Sequence, residues 1–454
     1  MSFLSLIAQR AQAQPSHVAL KLSDGSVFTY REIHKAIREV QSWLVNENIP
    51  KGVIVLDLQF EFEYIACLIA CLCNGYQVLP FYKNLHIKER RQLIAKVQPS
   101  AILEKQPSGN NTSTRNFDDE EGQILHFTSG SFGLKKIVVR PYNNLLDEAS
   151  SVGATLGITS DDIVLVASPL AHSFGCGMLR TILCAGATLA FSPSINIHSR
   201  VIGIRKLLQE NITIVTGVPY VFELLARGKV IRSRYHSTRF FAGGATLNRA
   251  LAAKWESLFN SPLRQEYGLG EGGISSFADP SDPPESIGSP IKHVRFVIDN
   301  PNSLGVGELV VYRPHPPTRY LFEDSPETFQ SDGGIRSGDL AYQDEAKRFF
   351  LAGRIKGVIN VAGSKVNPNE IESCLMQHAN IEEVVVMGVE DSITGEKPAA
   401  FVKHRDGSLT EKEYMRFLSS HLSRFKLPDQ IIFVNDWPRT ESGKIDFKRL
   451  KTLL

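Results

Sequence analysis

Apolar and polar positions along most of this chain alternate between two periods. Short, nearly continuous apolar runs (Val53 to Leu58, Gln77 to Pro80, Ala101 to Glu104) are separated by stretches with helical spacing, Glu61 to Cys73 and Ile87 to Val97. Ahead of them, Leu4 to Gln12 predicts a helix, and Val18 to Leu22 with Val27 to Tyr30 predicts a hairpin across Ser23-Asp24-Gly25-Ser26. Strands and helices in turn predict parallel βαβ units with right-handed crossovers. The rhythm pauses at the polar stretch Lys105 to Gly122 and resumes with the strands Gln123 to Phe127 and Ile137 to Val139. It then continues through helix Leu145 to Leu156, strand Ile163 to Ala167, helix Met178 to Cys184 and strand Thr188 to Phe191. Further alternation runs to helix Asn248 to Phe259 and a strand over Arg264 to Tyr267.

From Ile287 the pattern turns β-rich, with Val294 to Ile298, Gly307 to Tyr312 and Leu340 to Leu351 broken by the charged turn Gln343 to Lys347. After Gly353-Arg354-Ile355-Lys356-Gly357 a compact terminal region follows: helix Glu370 to His378, strands Val384 to Val389 and Ala399 to Lys403, helix Lys412 to His421 and strand Gln430 to Val434. The expected fold class is α/β. A large N-terminal domain, residues 1–355, would hold α/β subdomains plus a β-rich subdomain, and a small α+β C-terminal domain would span 356–454.

Bulk properties narrow the partners. At 454 residues the chain exceeds what one hydrophobic core supports, and 43% hydrophobic with 22% charged residues is a globular composition. A net charge of +2 argues for neither a nucleic-acid nor a membrane surface, which leaves small molecules and proteins as partners. The six cysteines form no C-x-x-C pair and lie in apolar surroundings, as buried thiols in a reducing compartment would. The N-terminus lacks the basic start of a signal peptide, and the most apolar run, Tyr64 to Cys73, is too short to cross a bilayer. The expectation is a cytoplasmic protein without membrane insertion.

Candidate chemistry concentrates in a few segments. F-T-S-G-S-F-G-L-K-K, Phe127 to Lys136, follows an apolar strand and has the hydroxyls, glycines and lysines that wrap phosphate oxygens. The Walker spacing G-x-x-x-x-G-K-[ST] is absent, so an ordinary P-loop nucleotide hydrolase is not predicted. Downstream lie E-Y-G-L-G-E (Glu266 to Glu271), R-S-G-D-L around Asp339, G-R-I-K around Arg354 and P-R-T-E-S-G-K-I-D around Lys444.

In this order, the motifs resemble those of the adenylate-forming superfamily: acyl- and aryl-CoA ligases, adenylation domains and firefly-type luciferases. The resemblance covers essentially the whole chain. It implies an enzyme, an acid–thiol ligase that uses ATP and Mg²⁺ to make an acyl-adenylate and then passes the acyl group to a thiol. Coenzyme A is the default acceptor. The alternative is a free-standing adenylation enzyme loading the phosphopantetheinyl arm of a separate carrier protein. A third reading is a nucleotide-binding protein with impaired catalysis.

Residue by residue, the resemblance places Thr128, Ser129, Gly130, Ser131, Gly133 and Lys136 around the β- and γ-phosphates, with Phe132 and Lys135 replacing a usual hydroxyl and a usual proline. Gly243, Gly244 and Ala245 with Tyr267 and Gly268 would flank the adenine, and Glu271 would meet Mg²⁺, while Gly270 stands where threonine is usual. Asp339 would accept both ribose hydroxyls, and Arg354 would lie near ribose and phosphate. Lys444 would bridge the attacking carboxylate and the α-phosphate, stabilising charge that develops in the transition state. Lys356 matches the hinge of a mobile C-terminal domain, and Gly363 matches the segment that admits the thiol arm. Ser168-Pro169-Leu170-Ala171-His172-Ser173 matches the entry to the acid pocket, for which His172, Ser173, Val218 and Phe241 are candidates. The family's aspartate for an α-ammonium group is absent there, which favours an aryl or fatty acid over an α-amino acid.

Overall fold

The computed structural model describes residues 2–83, 85, 87–107, 120–127, 136–194, 196–227, 237–357, 359–361, 364–391, 395–405, 410–422, 424–440 and 443–454. They form two compact units. The first comprises Met1–Phe296, Val311–Ile335 and Glu441–Gly443, and the second Val297–Val310, Arg336–Thr440 and Lys444–Leu454.

The first unit contains two α/β sheets. One has the strand order Ala101–Leu103, Val53–Leu56, Gln77–Pro80, Gln123–Phe127, Ile137–Pro141, parallel throughout except for its last pair. The other runs Val18–Leu22, Thr188–Phe191, Ile163–Val166, Ile214–Gly217, Arg239–Ala242, Leu263–Leu269, all parallel. These strands read as apolar runs because helices cover both faces. Helices Tyr142–Leu156 and Ser173–Ala185 pack into the core on one face, and Ile197–Leu207, Pro219–Ala226 and Arg249–Phe259 into the core on the other. Helix Glu61–Cys73 is buried almost throughout, which accounts for its cysteines. All six cysteines are free thiols, five of them buried.

Two helices differ from the expected pattern. Tyr30 ends the expected hairpin and the pattern predicts no element over 31–46, yet Tyr30–Asn46 is a 17-residue helix whose first turn is closed by a Thr29–Glu32 capping box. Helix Ser173–Ala185 begins five residues before the predicted Met178. Its Gly175 and Gly177 lower the helical signal. Gly175 is required nonetheless, because a Cβ there would lie 2.2 Å from the Pro169 carbonyl oxygen.

The β-rich region contains the strands Arg295–Asp299, Gly307–Tyr312, Gly334–Gln343 and Phe349–Arg354, adjacent in that order. A 3₁₀ turn, Ile355–Gly357, leads on to the terminal sheet. There the long pair Ile381–Asp391 and Gly395–His404 is antiparallel, and Gln430–Phe433 lies parallel to the second of these. Helices Pro368–Leu375 and Glu411–Ser419 pack on this sheet around Ile371, Leu375, Tyr414 and Leu418. Among the described residues, no helix is long and apolar enough to cross a membrane.

Candidate active site

Open parallel sheets bind ligands beyond the carboxyl ends of their strands. In the first unit the segments at those ends are the ones singled out by motif. Ser168 to Ser173 follow strand Ile163–Val166, Val218 follows Ile214–Gly217, Gly243 to Ala245 follow Arg239–Ala242, and Gly270 and Glu271 follow Leu263–Leu269. Gly243 donates its N–H to the Gly217 carbonyl at 2.8 Å. A Cβ there would fall 1.6 Å from Glu266 Oε2, so any other residue would displace that buried carboxylate. Gly244 and Ala245 are exposed, while Tyr267 is buried with its ring edge-on to Phe296 at 6.0 Å. Gly268 packs backbone to backbone against Gly273.

Glu271 and Lys136 meet around one aromatic ring. The Tyr320 hydroxyl donates to Glu271 Oε1 at 2.9 Å, and Lys136 Nζ lies 4.6 Å from the centre of the same ring. Burial and the Glu271 charge push the Tyr320 hydroxyl well above its ordinary pKa, so it stays protonated and donates. Lys136 is also paired with Glu323 at 2.5 Å, both side chains being more than a third exposed. Thr128, Ser129, Gly130, Ser131 and Gly133 lie outside the described residues. The strands before and after them are antiparallel, with Phe127 opposite Ile137, so Lys136 stands immediately ahead of the second strand.

His172 stacks on Tyr82, with ring centres 4.0 Å apart and planes 12° from parallel. The pair lines a cleft of about 590 Å³, open mouth included, whose walls include Leu58, Tyr64, Phe81, Leu170 and Phe191. An ion pair between Lys83 and Glu61 and the side chain of Arg200 border it. The structure does not bring the other acid-pocket candidates into this cleft. Ser173 is the first residue of its helix, with its hydroxyl buried, Val218 packs into the core of the opposite sheet face, and Phe241 lies edge-on to Phe277 at 5.0 Å.

The second unit holds the remaining candidates. Asp339 and Arg354 are cross-strand partners, with Arg354 Nε 2.6 Å from Asp339 Oδ1. The backbone of Lys356 is in the 3₁₀ turn, and Gly363 lies outside the described residues. Lys444 closes a tight loop. Its carbonyl accepts from the Thr440 N–H at 2.7 Å and the Thr440 hydroxyl at 3.2 Å, while Arg439 and Ile445 form a β-bridge.

In the first unit a carboxylate and a lysine around Tyr320 are groups of the kind that a hard cation and phosphate oxygens take, and in the second, taken by itself, Asp339 is an acidic acceptor braced by Arg354. Comparison with family models agrees. Residues 7–321 match the AMP-binding enzyme model, and residues 370–444 match the AMP-binding enzyme C-terminal domain. The chain belongs to the AMP-binding enzyme family. It is 26% identical over 480 residues to 2-succinylbenzoate–CoA ligase of Bacillus pumilus, covering 98% of this chain and 97% of that one. It is 28% identical over 494 residues to 4-coumarate–CoA ligase 3 of Arabidopsis thaliana, covering 95% and 87%. Its fold matches ATP-bound MatB from Rhodopseudomonas palustris with a TM-score of 0.86 at 22% identity, over 100% of this chain and 99% of that one.

Several residues of this AMP-binding enzyme carried no motif signal. Tyr320 touches both Glu271 and Lys136, Glu323 pairs with Lys136, and Tyr82 supports His172. The only hint in the sequence was composition, an aromatic residue in a Pro/Arg-rich segment, and that does not mark a site.

Proposed function

We propose that this AMP-binding enzyme activates a carboxylic acid with ATP and Mg²⁺ to an acyl-adenylate and transfers the acyl group to coenzyme A. The observation that carries the reading is the arrangement of Lys136 and Glu271 about Tyr320, beyond the strand ends of a chain whose relatives are named as CoA ligases. Lys136 and the hydroxyl loop Thr128 to Ser131 hold the β- and γ-phosphates. The Lys136–Glu323 pair is exposed and therefore weak, so the ammonium exchanges its partner for phosphate at little cost. Glu271 keeps one carboxylate oxygen on Tyr320 and offers the other to the metal. Bound magnesium supplies charge compensation for the triphosphate.

Gly243, Gly244, Ala245, Tyr267 and Gly268 flank the adenine, and Asp339 accepts the ribose hydroxyls with Arg354 orienting it. Lys444 stabilises the charge that spreads over the phosphoryl oxygens as the acid attacks. The acid enters beside His172, where the apolar cleft suits an aryl or fatty acyl group. Residues 356–454 then turn about Lys356, which withdraws Lys444 and brings the Gly363 segment to the thiol. Transfer to a carrier protein is the second reading, but the relatives are named for CoA, and no observation favours the carrier.

A panel of aryl, short, medium and long-chain acids, assayed for release of AMP and pyrophosphate with and without CoA, tests the proposal. Acid-dependent pyrophosphate release together with CoA consumption is expected. Absence of acid-dependent pyrophosphate exchange across the panel would instead leave a nucleotide-binding protein without ligase activity.

A further inference from the structure

The first unit also buries a charged cluster for which the proposed chemistry gives no role. Glu148 on helix Tyr142–Leu156, Arg140 on strand Ile137–Pro141 and Arg180 on helix Ser173–Ala185 are all fully buried. Both oxygens of Glu148 are engaged. Oε2 accepts from Arg180 Nη2 at 2.6 Å and from Arg140 Nη2 at 3.1 Å, and Oε1 accepts from the Ile274 N–H at 2.7 Å. Arg140 Nη2 also reaches the Gly272 carbonyl at 3.4 Å, and Arg140 is braced in turn by Asn144 Oδ1, 2.6 Å from Nη2 and 3.0 Å from Nε. Gly272 ends the turn that holds Glu271, and Ile274 is the second residue of the strand Gly273–Phe277 that follows it.

The start of that strand is shaped to fit the cluster. Gly273 has φ +75°, a left-handed conformation, and a Cβ there would lie 2.2 Å from Glu148 Oε1 and 2.7 Å from both terminal nitrogens of Arg140. Any side chain would push the segment off the charges that hold it. Burial alone would raise the carboxyl pKa of Glu148. Arg140, Arg180, Arg313 and the Ile274 N–H override burial and hold it at about 2, so it is ionised at neutral pH. Buried ion pairs are seldom retained for stability, since apolar residues of similar volume often serve as well or better. What this cluster supplies is geometry, because it ties the backbone on the C-terminal side of Glu271 to a strand and two helices. Tyr320 fixes the Glu271 carboxylate from the other side.

We propose that Glu148, clamped between Arg140 and Arg180, is a positioning residue that sets the Gly272–Ile274 segment and, through it, the magnesium-directed carboxylate of Glu271. This rests on the reading of Glu271 given above. Such outer partners typically change metal affinity by about 10- to 100-fold when removed. Glu271 directly adjoins this contact while Gly268 on the adenine side only packs against Gly273, so the loss falls mainly on the metal-bound triphosphate and much less on the adenosine end.

Calorimetric binding of MgATP and of AMP, which needs no acid substrate, separates the possibilities, with thermal melts to confirm folding. Glu148→Gln is expected to raise the MgATP Kd about tenfold or more and the AMP Kd by less than about twofold. In a Glu271→Gln background the same substitution is expected to add no further loss. Equal weakening of AMP and MgATP, additive losses in the double variant, or a lowered Tm with unchanged binding would each overturn the proposal. Wild-type MgATP affinity in Glu271→Gln alone would overturn the assignment of Glu271, and the proposal with it. Should Glu148→Gln fail to fold, Arg140→Lys keeps the charge but shortens the reach to the Gly272 carbonyl. The same selective loss for MgATP is then expected, and an unselective one counts against the proposal.

Discussion

Asp339 and Arg354 stand opposite one another on antiparallel strands, and the guanidinium Nε–H donates to the Asp339 carboxylate at 2.6 Å. The Asp339 side chain is 6% exposed and that of Arg354 58%. One carboxylate oxygen is thus held in place by a cation that itself reaches solvent. A carboxylate held in this way would suit the proposed role of accepting ribose hydroxyls.

Asp339→Asn keeps the shape but exchanges an acceptor-only group for one that also donates. It is expected to weaken AMP binding by about tenfold or more, because hydrogen bonds to charged groups contribute about 1.5–3 kcal/mol. Calorimetric titration with AMP checks this, and an unchanged Kd would remove Asp339 from the ribose site.

In the proposed site Glu323, which pairs with Lys136, would compete with phosphate for it. Glu323→Gln frees the ammonium and is expected to tighten MgATP binding up to roughly fivefold, equivalent to about 1 kcal/mol, at low salt. The gain should fade at about 0.5 M salt, where exposed charges are screened within a few ångströms. The Tm should stay within about a degree or two, since an exposed pair contributes little to folding. Weaker MgATP binding in this variant would mean that Glu323 orients Lys136 and does not compete for it.

Much of the fold was legible because buried runs are bracketed by turn residues. Glu61–Cys73, Ile87–Val97, Gln77–Pro80, Thr188–Phe191 and Gly307–Tyr312 have the bounds their patterns predict. Helix Tyr30–Asn46 was legible too, through Thr29, Glu32 and the spacing of Ile33, Ile37, Val40 and Leu44, but the β-like run Val27 to Tyr30 masked its start. Motif letters led to Asp339 and Arg354, which the structure pairs. Tyr320 and Glu148 could not be reached in this way. Their contacts join segments 49 and 126 residues apart, and a single sequence does not record which distant residues meet.

Glu372, on helix Pro368–Leu375, carries a pH dependence of its own. Burial pushes its carboxyl up to about 7 from 4.5, against the hydrogen bond it accepts from the Val386 N–H. A carboxyl raised in the folded state binds its proton more tightly there than in the unfolded chain. Its contribution to stability is therefore fully present below about 4.5 and is lost as pH rises through about 7. Glu372→Gln is neutral at every pH and keeps an acceptor for Val386. It is expected to raise the Tm at pH 8 by roughly a few degrees and to leave it unchanged near pH 4.5. Parallel Tm–pH curves for the two proteins would show that the carboxyl titrates normally.

Lys444 offers the sharpest division between the two half-reactions. The loop that carries it is closed from Thr440 to Lys444 and from Pro438 to Asp446, and Arg439 anchors it to Glu383 at 2.8 Å and 2.9 Å. Removing the side chain of Lys444 therefore leaves the backbone contacts of the loop in place. Lys444→Ala is expected to slow acid-dependent pyrophosphate release by about a hundredfold or more, the usual loss when a group that stabilises transition-state charge is deleted. MgATP affinity should change by no more than a few-fold, because the contact strengthens only as charge develops. Transfer from a supplied acyl-adenylate to CoA should proceed at close to the wild-type rate if, as proposed, the lysine is withdrawn in that step. Rapid-quench measurement of each half-reaction with the best acid of the panel separates these outcomes. If both steps slowed equally, Lys444 would be acting on domain movement rather than on the α-phosphate.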